Sequence, residues 1–217
     1  MKALEDPHMQ VRTTAIEVLD DATDDFITML CGWLIGNAGS PRAQKAILSY
    51  LEQHPVPESV LWEIIVAKAD DALEIASVLH QLEKHFADKT TPASWQLLKV
   101  TLEERKKQII NLALQALERV EPKETIRMIS AGVNSKDQRS FANAVEALSN
   151  IRNKDVVKKL INLFEGELDH KNGALSGAEG VNAEAIFQWC TTRPDPWLRE
   201  CIGYVKSKLA QERVAYA

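Results

Sequence analysis

The chain is expected to be all-α, a right-handed α–α superhelix of roughly ten helices stacked in pairs. Three observations predict this. A short phrase occurs twice, as Ala15-Ile16-Glu17-Val18-Leu19 and as Ala144-Val145-Glu146-Ala147-Leu148. In each copy a small residue and a Leu four positions on share a helical stripe, with Glu on the opposite side. The copies lie 129 residues apart, three steps of 43, and two-helix solenoid repeats recur every ~40–47 residues. Second, all eight prolines fall between apolar-periodic segments, where a missing amide is tolerated. Third, no alternating strand bounded by turns stands out.

The elements follow in order from their apolar spacing. Val11, Ala15, Val18, Leu19 and Ala22 share one stripe, and Phe26, Met29, Leu30, Trp33 and Leu34 the next. Ser40-Pro41 is an N-cap followed by proline at the first helical position, and opens the helix of Ala43, Ala46, Ile47, Tyr50 and Leu51. Leu61, Ile64 and Ile65 begin a further helix, which Ala72 to Phe86 either continue or follow with another. Thr91-Pro92 is a second cap and opens a long helix to about Val120, with the charged cluster 103–107 as a candidate break. Segments 126–133, 138–151 and 156–164 come next. Leu198, Cys201, Ile202, Val205 and Leu209 close the chain. Asn172-Gly173, Ser176-Gly177 and Gly180 mark a segment too long and glycine-rich for an ordinary inter-helix turn. The expected organisation is one repeat domain, 1–217: a main array over 1–165, a flexible loop over 166–181 and a C-terminal helical unit over 182–217.

Composition narrows the class. Of 217 residues, 45% are hydrophobic and 26% charged, as in ordinary folded proteins. No apolar run approaches 18 residues and no leader pattern opens the chain, so neither a membrane span nor a secretory signal is expected. Cys31, Cys190 and Cys201 form no C-x-x-C pair and fit a reducing, cytoplasmic setting as small buried hydrophobes. Residues 1–85 carry 14 acidic against 6 basic side chains, and residues 86–217 carry 17 against 20. An acidic chain of net charge −5 is a poor ligand for nucleic acid. Its acidic half suits a basic protein or peptide, although scatter over a solvated surface is the simpler account of the asymmetry.

Asp6-Pro7, then Val11-Arg12, then Ala15 and Leu19, resembles the HEAT-repeat signature of the armadillo-like solenoids. The resemblance implies that the proline marks the inter-helix turn, that Val11, Ala15 and Leu19 face the inter-helix core, and that Asp6 and Arg12 join a polar ladder between repeats. In the second copy, built on Ala144, Glu146 and Leu148, Phe141 stands where Arg12 would and Ser135 where Asp6 would, so a continuous ladder is not expected. Over residues 74–202, Trp95-Gln96-Leu97-Leu98, Leu102-Glu103-Glu104-Arg105, 142–148 and Trp197-Leu198-Arg199-Glu200-Cys201 are similar to the soluble HEAT region of bacterial major-facilitator or nucleotide-translocase-like proteins. That narrower resemblance implies a soluble regulatory module tethered to a membrane protein in a longer parent, at the cytoplasmic face. Met1-Lys2-Ala3-Leu4 enters a repeat with no leading cap, which agrees with a fragment.

No motif for chemistry stands out. His80 and His85 are five apart, off the i, i+4 spacing of zinc helices. Asp169 to Gly180 lacks the closing Glu of a calcium loop. Asp20-Asp21, Asp24-Asp25 and Asp70-Asp71 read as helix-edge charges. Arg152, Lys154, Lys158 and Lys159 form a small basic group suited to phosphate or to a solvated face. Trp33, Trp62 and Trp95 sit on helical stripes and are expected in the core. Trp197, just after Asp195-Pro196, is expected at the surface and, with Arg199, is the candidate partner-binding pair. The function expected is a non-catalytic protein-interaction scaffold with no catalytic residue, cofactor or metal. The alternatives are a HEAT-like enzyme of the bilin-lyase or DNA-glycosylase type, or a purely structural spacer.

Overall fold

A computed structural model describes residues 2–20, 25–85, 93–133, 135, 137–165, 183–193 and 195–215. These residues form a short 3-10 turn, Lys2–Glu5, and ten α-helices. The helices are α1 Met9–Asp20, α2 Phe26–Ile35, α3 Pro41–Leu51, α4 Glu58–His85 and α5 Ala93–Leu117, then α6 Lys123–Val133, α7 Gln138–Ser149, α8 Lys154–Glu165, α9 Ala183–Thr192 and α10 Pro196–Ala215. The all-α expectation holds, with no strand among the described residues. No described helix is long and apolar enough to cross a membrane. The glycine-rich segment 166–181 and the Thr91-Pro92 cap lie outside the described residues.

Helix boundaries follow from local chemistry. At the end of α2, the Asn37 amide bonds the Leu34 carbonyl at 3.2 Å and the Ala38 amide bonds the Trp33 carbonyl at 2.8 Å. This is the Schellman pattern, which needs a left-handed residue after the cap. Asn37 supplies it with φ 52°, a region that Asn tolerates better than most residues. Ser40 then caps α3, its hydroxyl accepting from the Ala43 amide at 3.4 Å, with Pro41 in the first turn. Asp137 caps α7 through the Ser140 amide at 2.9 Å. The charged run at 103–107 does not break α5, and the segments from Leu61 and from Ala72 belong to one helix, α4. Asp70 and Asp71 therefore lie inside a helix rather than at its edge.

The chain divides into two compact units, each discontinuous in sequence: Met1–Leu73 with Gln108–Asp169, and Glu74–Lys107 with His170–Ala217. Helices α4 and α5 supply residues to both. In the first unit α2 packs on α3, α1 on α3 and on the 3-10 turn, and α7 on both α6 and α8. Its core includes Leu48, Leu51, Ile65, Ile109, Ile129 and Leu160. Gly132 sets the α6–α7 approach. A Cβ there would meet the Ala144 Cβ at 2.5 Å and the Ser140 carbonyl oxygen at 2.6 Å. In the second unit α9 packs on α10, and the core gathers Trp95, Leu98, Ile186, Phe187, Cys190 and Ile202.

The two copies of the repeated phrase are placed differently. Ala144 and Leu148 are fully buried and Glu146 is exposed. In α1, by contrast, Val11 and Val18 are exposed, Ala15 is half-buried, and Ile16 is the residue in the core. The expected stripe is corrected by about one position, because α1 packs on the 3-10 turn and on α3, and Ile16 is the buried residue of this helix among those described. The side chain of Leu19 lies outside the described residues. Arg12 does not reach the Asp6 carboxylate. It donates to the backbone carbonyls of Asp6 at 2.6 Å and of Pro7 at 3.0 Å, while Asp6 accepts from the His8 amide. It clamps the turn before α1. Of the three tryptophans expected in the core, Trp95 is there, while Trp33 and Trp62 are half-buried.

Candidate functional site

The candidate site lies in the second unit and begins with a buried ion pair. Arg105, in α5, is almost fully buried and donates from Nη1 to the Asp195 carboxylate. That carboxylate also caps α10, accepting from the Trp197 amide at 3.0 Å and the Leu198 amide at 3.3 Å through Oδ1. One Asp thus joins two helices and stops the first turn of α10 from fraying. Arg105 Nε and Nη2 are buried with no hydrogen-bond partner, so Asp195 carries nearly all of the local compensation for this charge.

With its start fixed, α10 turns Leu198, Cys201, Ile202 and Val205 inward, the i, i+3, i+4, i+7 stripe of a half-buried helix. Cys201 Sγ lies 3.5 Å from the Thr101 hydroxyl of α5. Trp197 and Tyr204 fall one flank away from that stripe, 62% and 45% exposed. Seven residues apart, they sit above one another on the helix surface. The pairs Arg105–Asp195 and Thr101–Cys201 show α5 and α10 running antiparallel. That register puts Leu97 at about the level of Tyr204 and Val100 at about that of Ile202, and both are exposed. Four of the eight large apolar side chains exposed among the described residues therefore belong to these two helices.

The candidate pair separates on the helix. Trp197 and Arg199 are both exposed, but two residues apart on a helix they point about 160° away from each other. Arg199 shares its flank with Lys206, which turns to α9, 3.5 Å from Glu184 and 5.2 Å from the centre of the Phe187 ring. Trp197 has Tyr204 as its neighbour instead. Spacing alone identified Trp197. It could not reveal Tyr204, Leu97 or Val100, whose exposure depends on which sides of α10 and α5 their neighbouring helices leave uncovered.

Other candidates are absorbed by structure. Arg152 bonds Glu121, Glu58 and the Val120 carbonyl, Lys159 pairs with Asp70, and Lys154 caps the Ser149 and Ile151 carbonyls. The basic group is thus mostly spent on holding α8 to its neighbours, not arrayed for phosphate. All three cysteines are free and buried. Burial pushes the Cys190 thiol up to about 12, against the opposing charges of Arg193 and Arg105. Burial likewise raises Cys31, with Arg119 opposing. Neither offers a thiolate near neutrality. Among the described residues no group of three or more His, Cys, Asp or Glu is placed to hold a metal ion.

The first unit holds a second buried polar cluster. Lys68 of α4 donates to Asn37 Oδ1 at 2.6 Å and to Gln44 Oε1 at 2.8 Å, and Gln44 Nε2 donates to the Ala38 and Gly39 carbonyls. Glu5 accepts from the Ser40 amide at 2.7 Å. Asp71, also buried, lies one turn beyond Lys68. Gln44 and Glu5 hold the backbone of 38–40 and Lys68 ties the Asn37 and Gln44 side chains together, so the cluster serves to lock the α2–α3 turn. No protein-family model, curated protein or solved structure matches the chain.

Proposed function

We infer that this chain is a non-catalytic protein-interaction module whose helical hairpins stack as a right-handed superhelix, and that it engages protein through the Trp197–Tyr204 flank of α10. One observation carries the reading. Two aromatic rings and two aliphatic side chains are held outward on helices whose start and register are fixed by a buried ion pair. Scattered exposed apolar residues are normal at a protein surface, and it is the gathering of four large ones on two neighbouring rigid helices that supports a binding site here. Tryptophan and tyrosine supply large contact area at small entropic cost, and dominate binding where they occur. Mixed packing of consecutive helices, α2 on α3, α6 on α7, α7 on α8 and α9 on α10, supports the stacked-hairpin arrangement.

Affinity capture from the source cells tests this, comparing the full chain with the double variant Trp197→Ala/Tyr204→Ala. The expected result is one or more proteins retained by the wild type and lost from the variant, with both equally helical by circular dichroism. Identical retention by the two would refute the role of this flank.

A further inference from the structure

We propose that the Trp197–Tyr204 flank of α10 recognises an arginine side chain of its protein partner, the guanidinium stacking on the Trp197 ring and donating to the Glu200 carboxylate. The proposal rests on the reading of this flank as a protein-binding surface, and it names the chemistry of the partner.

The Trp197 ring is the one this unit leaves open to a cation. Three other aromatic rings of the unit each hold one of the chain's own cations. Arg193 lies 4.4 Å from the centre of the Trp189 ring, Lys206 5.2 Å from that of Phe187 and Lys208 5.9 Å from that of Tyr204. Trp197 is more exposed than any of these three residues, and among the described residues no cation lies over it. Its neighbours in sequence are committed elsewhere. Arg199 points to the opposite side of α10, and Arg193 is taken by Trp189 and Glu74.

Glu200 supplies the counter-charge. It is exposed, and makes no ion pair among the described residues. The residues three and four positions from it on the helix are Pro196, Trp197, Gly203 and Tyr204, none of them basic. Trp197, Glu200 and Tyr204 fall within about 60° of one another, with Glu200 about 4.5 Å along the axis from Trp197. An aromatic face with a carboxylate one turn away suits a guanidinium better than an ammonium. The planar group stacks on the ring while the N–H groups of its edge meet the carboxylate. Beyond Glu200 the surface is apolar, with Tyr204 and, at about its level on α5, Leu97. The partner therefore carries a large apolar residue about 10 Å from its arginine, the rise from Trp197 to Tyr204.

Selection of random dodecapeptides displayed on phage against the full chain tests the proposal, with fluorescence anisotropy of the enriched peptides. Arginine is expected to be enriched, and Arg→Gln in the peptide to weaken binding ~10-fold or more. Trp197→Leu keeps an apolar side chain but no ring, and Glu200→Gln keeps the shape but no charge. Each should reduce that Arg/Gln ratio to ~3-fold or less, whereas Arg199→Gln on the opposite side leaves it unchanged. Absence of an arginine preference, a ratio unchanged in either Trp197→Leu or Glu200→Gln, or no peptide retained at all overturns the proposal. If it is overturned while the capture comparison still depends on Trp197 and Tyr204, the flank binds protein without reading a cation. If the capture comparison is negative as well, the binding-surface reading fails too.

Discussion

Lys68 and Asn37, 31 residues apart, are joined by a 2.6 Å hydrogen bond from a buried ammonium to a side-chain carbonyl. Asn37 has two roles at once. Its left-handed backbone closes α2, and its side chain helps satisfy a cation with no access to water. The two roles separate by substitution. Asn37→Gly keeps the backbone and loses the bond, while Asn37→Ala loses both, and urea unfolding should show Ala the more destabilised by ~1 kcal/mol. Lys68→Met strands the buried Gln44 Oε1 and the half-buried Asn37 Oδ1 and should cost ~2–3 kcal/mol.

Asp195→Asn preserves an N-cap but leaves Arg105 as a buried cation without a counter-charge. The expected loss is ~3–5 kcal/mol in equilibrium unfolding. Arg105→Met/Asp195→Asn should recover part of it, because the double variant has no charge left to compensate. A double variant less stable than Asp195→Asn would show that the guanidinium acts through packing alone.

Gly132→Ala pushes α6 from α7. The expected cost is ~1–3 kcal/mol, and Ala144→Gly should not rescue it. Removing the Ala144 methyl clears one contact, but the Ser140 carbonyl oxygen remains 2.6 Å from the new Cβ, and backbone yields less readily than a side chain. Full recovery in the double variant would contradict this geometry.

The thiols give a pH signature. The Cys190 thiol has an ordinary value of 9.0 and is raised in the fold to about 12. Between those values the folded chain holds a proton that the unfolded chain releases, so this contribution to stability is complete below 9 and falls as pH rises toward 12. Urea midpoints should decline more steeply between about pH 9 and 10.5 in the wild type than in Cys190→Ala. Under native conditions near neutrality a thiol reagent should label none of the three cysteines, and should label all three in urea.

Much of the helical framework was legible in the sequence, and the reason is local. Ser40-Pro41 and Asp195-Pro196 announce helix starts through residues that act within one turn. Leu198, Cys201, Ile202 and Val205 show the buried side of α10 by spacing alone. The polar clusters were not legible. Arg105 sits in a run of charges that looks solvated, and its partner is 90 residues away. Lys68 looks like any helix lysine until Asn37 and Gln44 are placed against it. The first repeat failed for a related reason: Val11 and Val18 have core spacing, but neither the 3-10 turn nor α3 covers them. Periodicity shows that a helix has an apolar side and is silent on whether a neighbour lies there.

The central claim, that the flank carrying Trp197 is where this protein meets other protein, is tested most directly by a photo-cross-linking residue at position 197 in living cells, with position 139 on exposed α7 as the control. Discrete protein adducts are expected from position 197, and none above background from position 139. Equal yields from both positions, or no adduct from position 197, would contradict it.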